Sequence, residues 1–253
     1  MAIADRISAG GAIKAILAVQ LGIAAILVAG DVGSLLPRLV PGPDAPRLTE
    51  TVRPGDQTRR YDPADRPTLP ADPSRTGVPA SREMPSRLQF DGGAAEGFEI
   101  WGQIAPGDAE RFTDWLALQE EVTALRLDSP GGSVADALTI GRAIREAGIA
   151  TELVAGAVCL SACPYILSGG AVRRVAPDAF VGVHQHYFGE STVLPAFMAV
   201  ESIQRGQAEV VEYLDDMGID LRLMRHSLAT PPGEIYILVQ DELRDYGIVT
   251  PEA

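Results

Sequence analysis

Leu127-Asp128-Ser129-Pro130-Gly131-Gly132-Ser133-Val134 is the stretch on which the reading of this chain turns. The short apolar run Val122 to Leu127 leads into it. Beyond it Val134, Ala137, Leu138, Gly141 and Ile144 recur at i, i+3, i+4, i+7 spacing, so the sequence predicts a strand, a tight turn and a helix reaching Glu146. Two adjacent glycines admit backbone angles and close approaches that a Cβ forbids, and such a turn can aim N–H groups at an oxyanion. Ser133, with Asp136 three residues on, is placed to cap the helix and set its positive end beside those amides.

Alone, a Gly-Gly turn is usually only a turn. Twenty-nine residues after Gly132, however, comes Ser161 in Val158-Cys159-Leu160-Ser161-Ala162-Cys163-Pro164, and twenty-three residues later comes His184 in Phe180-Val181-Gly182-Val183-His184-Gln185-His186. An oxyanion donor, a hydroxyl nucleophile and an imidazole base are the parts that acyl transfer needs. Each has a bland alternative. A serine in an apolar helix commonly bonds the carbonyl four residues back, and His184 or His186, which share a strand face at period two, can be a satisfied polar residue. The order and spacing of the set favour the catalytic reading. His226 lies in a helical tail with no motif around it and is assigned no role.

This order and spacing resemble the Clp protease proteolytic subunit and its relatives in the Clp-protease/crotonase superfamily. The resemblance runs from about Phe98 to Val249, and Tyr246-Gly247-Ile248-Val249 is similar to the family's closing Tyr-Gly-Leu-Val/Ile element. It implies an α/β fold with a spiral core of repeated ββα units and a largely parallel sheet. It implies a serine peptidase in which Ser161 attacks, His184 is the base and the amides of Gly132 and Ala162 hold the oxyanion. A peptide or protein substrate and homo-oligomeric packing through a long helix, here Leu194 to Met217, are further implications. Cys159, Ser161 and Cys163 bring the chain closer to exported or membrane-tethered bacterial Clp-like proteins, so the large domain is expected in the periplasm, on a single-pass inner-membrane anchor.

One departure weakens the match. The family's third triad member is an acid about fifty residues after the histidine, and loss of that acid alone costs serine proteases about 10⁴ in rate. Here the corresponding stretch is Thr230-Pro231-Pro232-Gly233, without a carboxylate. Glu234, the Thr230 hydroxyl or a main-chain carbonyl is left to orient His184. A catalytically weak binding or assembly module is the alternative function. A Ser-Lys dyad is excluded, because Lys14 is the only lysine and precedes the domain. An imidazole base of unshifted pKa predicts activity that falls as pH drops through about 6–7.

The remaining sequence sets the surroundings. The 253 residues are 46% hydrophobic with two cysteines, enough for one core plus appendages, and the net charge of −13 with no basic run argues against a nucleic-acid partner. Residues 1–30 read as a transmembrane anchor or signal segment. Ala15 to Gly30 carries no charge, exceeds the usual apolar core of a cleaved signal and lacks a clean Ala-x-Ala site, which favours the anchor. Residues 31–88 are rich in proline and show no apolar period, so they read as a disordered tether, with the α/β domain at 89–253. Strands are expected over Phe98–Ile104, Thr151–Ala157, Ala171–Val175 and Phe180–Gln185, and helices over Ala109–Leu118, Ser161–Leu167 and Leu221–Ser227. Cys159 and Cys163 do not make a zinc pattern, and no metal or cofactor is expected. Two helix positions four apart suit a disulfide poorly, so the pair reads as small buried packing residues.

Overall fold

The computed structural model describes residues 9–39, 45–48, 52–63, 84–93, 97–186 and 196–251. The chain falls into two compact units, Met1–Asp44 and Ala45–Ala253. Among its described residues the first holds one helix, α1 (Ala9–Leu39). Its Gly10–Ala29 stretch, 20 residues of mean hydropathy 2.3, is long and apolar enough to cross a membrane. The helix continues past Gly30, where the sequence expectation placed the end of the segment.

The second unit is mixed α/β. In chain order it runs β1 (Thr58–Arg60), β2 (Gln89–Gly93), β3 (Gly97–Trp101), α2 (Asp108–Ala117), β4 (Ala124–Asp128), α3 (Val134–Glu146), β5 (Ala150–Leu153) and β6 (Val158–Leu160). It goes on through α4 (Cys163–Gly169), β7 (Arg173–Val175), β8 (Phe180–Val183), α5 (Ala196–Asp216), α6 (Leu223–Ala229), β9 (Glu234–Ile237) and α7 (Gln240–Asp245). One sheet has the order β2-β3-β4-β5-β7, the other β1-β9-β8-β6. In the first, β3, β4, β5 and β7 are parallel and β2 is an antiparallel edge. In the second, only β6 and β8 are parallel. A parallel bridge between Ser129 and Cys159 joins the carboxyl end of β4 to β6.

Helix α3 shows why these residues choose their elements. Ser133 caps its start by accepting from the Asp136 N–H, and Ala137, Leu138, Gly141 and Ile144 of the expected stripe are buried, joined by Ile140, while Val134 in the first turn is only partly buried. That stripe packs on α4, which is buried along its whole length. Truncating Leu138 or Ile144 there would cost about 2–5 kcal/mol. Asp136 also accepts from the Gly107 and Ala109 N–H groups, so one carboxylate fixes the start of α2 as well.

The expected tether needs correction. Residues 45–48 and 52–63 belong to the same compact unit as the domain that was expected to begin at residue 89. β1 pairs antiparallel with β9 through Thr58–Tyr236, Arg59–Ile235 and Arg60–Glu234. Gln57 exchanges bonds with the Ile237 main chain and reaches the Glu242 carboxylate. Leu48, Val52, Tyr61 and Met84 complete a second apolar cluster with Val158, Leu160, Ile235 and Ile237. These side chains are too irregularly spaced to give a period, yet a strap laid across a sheet needs none. Residues 40–44, 49–51 and 64–83 of the expected tether lie outside the described residues, as do 1–8 of the expected anchor.

Candidate active site

Three strands deliver the site. β4 ends in the Ser-Pro-Gly-Gly turn, β6 ends at Ser161 and β8 ends at His184, so all three groups lie at carboxyl ends where the two sheets meet. The turn is held from both sides. Ser129 Oγ donates to the Gly102 carbonyl and accepts from the Gly131 N–H. Ile104 donates to the Gly131 carbonyl and accepts from the Ser133 N–H, as in a parallel ladder. This pattern turns the intervening Gly132 N–H away from Ile104, and among the described residues it has no acceptor.

Only glycine fits here. Gly131 and Gly132 have φ of 103° and 143°, and a Cβ on Gly131 would lie 2.6 Å from Ser161 Cβ and 2.9 Å from the Ala162 nitrogen. The turn is therefore pressed against the Ser161 backbone.

Ser161 is not the opening residue of a helix, as its apolar surroundings suggested. It stands before α4, with φ of 61°, and is the one described residue besides glycines at positive φ. A non-glycine residue there stores about 1–3 kcal/mol of strain, which surrounding contacts must hold. Two of them are visible: the Ser161 N–H donates to the Gly182 carbonyl, and Cys159 is bonded to Cys163 across it. The reading of the cysteines as separate packing residues is thus corrected. Since Cys159 ends a strand and the chain turns left-handed at Ser161, the two Cα atoms come to 5.0 Å, within ordinary disulfide reach. The Ala162 N–H, at the start of α4, has no acceptor among the described residues.

His184 Nε2 lies 2.7 Å from Ser161 Oγ. For Nε2 to accept the serine proton, a neutral ring must carry its hydrogen on Nδ1. Nδ1 is buried and makes no hydrogen bond of good geometry; the Pro232 carbonyl is the main-chain group that acts on the ring, favouring its charged form. Burial dominates, helped by neighbouring His186, and pushes the imidazole down to about 4. Neither of the two side-chain candidates for orienting it bonds Nδ1. Glu234 is on β9 opposite Arg60, and the Thr230 hydroxyl donates to the His226 carbonyl. His186, whose pKa burial also lowers, meets the Tyr165 hydroxyl at 2.7 Å.

Sequence reasoning missed one member. Tyr61, in the stretch read as tether, lays its ring 4.6 Å from the His184 ring and donates its hydroxyl to the Pro130 carbonyl at 2.7 Å. With Pro63, Gln103, Val134 and Pro232 it lines a cleft of about 480 Å³ into which Ser161, His184 and both turn glycines open. No charged side chain lines this cleft among the described residues. They also hold no cluster of ligands for a metal ion. A hydroxyl on a strained turn, an imidazole at hydrogen-bond distance and two free amides can together perform nucleophilic acyl transfer. No protein-family model matches this chain, and no curated protein does.

Proposed function

We propose that this protein is a membrane-tethered serine hydrolase of the Clp-protease/crotonase kind, with that superfamily's spiral of ββα units, acting on peptides outside the cytoplasm. The observation that carries the reading is the 2.7 Å contact between Ser161 and His184, next to the unpaired Gly132 and Ala162 amides. In the reaction His184 Nε2 takes the Ser161 proton as Oγ bonds to the scissile carbonyl carbon. The carbonyl oxygen gains the charge, and the two amides receive it. Collapse breaks the C–N bond, and His184 returns the proton to the leaving amine. Water, deprotonated by the same imidazole, then releases the acyl group. A disulfide persists best in an oxidising compartment, which supports the location, and the apolar Gly10–Ala29 helix supports the tether. The substrate's recognised portion is uncharged, in keeping with the cleft lining.

One observation favours a second reading. A His184 Nδ1 without a carboxylate leaves the imidazole poorly oriented, as in a cleft that only binds peptides or assembly partners. Labelling the full-length protein in detergent with a fluorophosphonate probe separates the two. The hydrolase reading expects labelling that Ser161→Ala abolishes and His184→Ala slows by about 10³-fold or more, while Glu234→Gln changes it less than about twofold. A folded wild-type protein that never labels belongs to the binding module.

A further inference from the structure

Tyr61 is the only described side chain from the strap to reach both halves of the proposed site. Its main-chain N–H donates to the Gly233 carbonyl, in the loop that faces His184. Its hydroxyl grips the Pro130 carbonyl, one residue before the glycine turn. Between those anchors its ring covers His184. Two residues on, the Pro63 carbonyl accepts from Gln103 Nε2 across the cleft mouth. The strap thus enters from the β9 edge, crosses the site and is tied down on the far side.

We propose that Tyr61 is a positioning residue of this site: it clamps the oxyanion turn through Pro130 and shields the His184 ring from water. The inference rests on the hydrolase reading for its effect on rate, but not for its effect on the histidine. Burial pushes the Tyr61 phenol up to about 12, with neighbouring Ser161 opposing it, so the hydroxyl remains a donor throughout the working range. It serves as a clamp and not as a base. The surroundings of His184 make the ring a sensitive reporter. Ser161 faces it from the β6–α4 turn, His186 from its own strand extension, the Pro232 carbonyl from the loop before β9 and Tyr61 from the strap. Ser227 on α6 donates to its main-chain carbonyl. No carboxylate or cationic side chain is among these groups, so water entry is what a change at position 61 would alter.

The test uses the full-length protein in detergent and two variants, Tyr61→Phe and Tyr61→Ala, with two readouts. The first is the fluorophosphonate labelling rate against pH. The second is the titration of the His184 imidazole by proton NMR, assigned with His186→Gln and His226→Gln among the three histidines. Tyr61→Phe keeps the ring and loses the clamp; labelling should slow about three- to tenfold with the His184 titration nearly unmoved. Tyr61→Ala admits water; the His184 midpoint and the acid limb of labelling should both move up by about one pH unit or more. A merely structural tyrosine would lower the folded fraction without moving either midpoint. Should Tyr61→Ala not fold, Tyr61→Thr also removes the ring's apolar cover while keeping a side chain suited to extended backbone, and is read the same way. A wild-type protein that does not label, but whose His184 midpoint rises in Tyr61→Ala, sinks the hydrolase reading and leaves the shielding role standing. An unmoved His184 midpoint in folded Tyr61→Ala or Tyr61→Thr overturns the inference.

Discussion

Burial pushes the His184 imidazole down to about 4; His186 works in the same direction and the Pro232 carbonyl against both. At neutral pH the ring is therefore almost wholly in the form that accepts the Ser161 proton. The fall in activity that an unshifted histidine predicts at about 6–7 should appear instead near pH 4–5, as a plateau in probe labelling that persists well below pH 6. A midpoint at 6–7 would mean that the ring is solvated. The same shift bears on stability. The folded ring stays neutral where the unfolded one is protonated, so between about pH 6.5 and 4 the unfolded state binds more protons and stability falls as pH drops. Urea unfolding at pH 7 and at pH 4.5 should differ by about 2 kcal/mol from His184, with the acidic sample weaker.

Across the junction of β6 and α4, five residues from Cys159 to Cys163 carry the whole nucleophile element. The sequence spacing located Ser161 and the helix after it, but it put the helix start two residues early. That small error hid both the left-handed Ser161 and the disulfide, since a disulfide from i to i+4 is awkward in a helix and easy across a strand-turn-helix junction. Replacing both cysteines by alanine removes a five-residue covalent loop worth about 2 kcal/mol in the entropic view. We expect a melting temperature lower by about 4–8 °C. Ser161 would also be freer to leave its strained conformation, and labelling of the folded double variant should slow by about tenfold, whereas a rate equal to wild type would mean that the surrounding hydrogen bonds hold the turn unaided.

At the scale of the molecule, legibility followed sequence distance. The Gly-Gly turn, α3, β8 and the 29- and 23-residue spacings were readable because the information sits in local periods and short motifs. The surroundings of His184 Nδ1 were not, because they depend on how the loop before β9 lies against the ring. Nor was the strap, whose β1 residue Thr58 meets Tyr236, and whose side chains insert singly into a cluster built elsewhere. A chain starting at Gln89, where the proline-rich composition ends, would thus lose more than a spacer. β9 would become an outer strand with its unpaired N–H and C=O groups facing solvent next to uncovered Ile235 and Ile237. Such a truncated domain should self-associate, visible as a concentration-dependent sedimentation coefficient, whereas a monodisperse species that melts like the full chain would show the strap to be dispensable. The vacated edge is in effect a socket. A synthetic peptide of residues 45–63 supplied in trans should plug it, restore monodispersity and compete with the strand exchange by which truncated copies would otherwise complement one another.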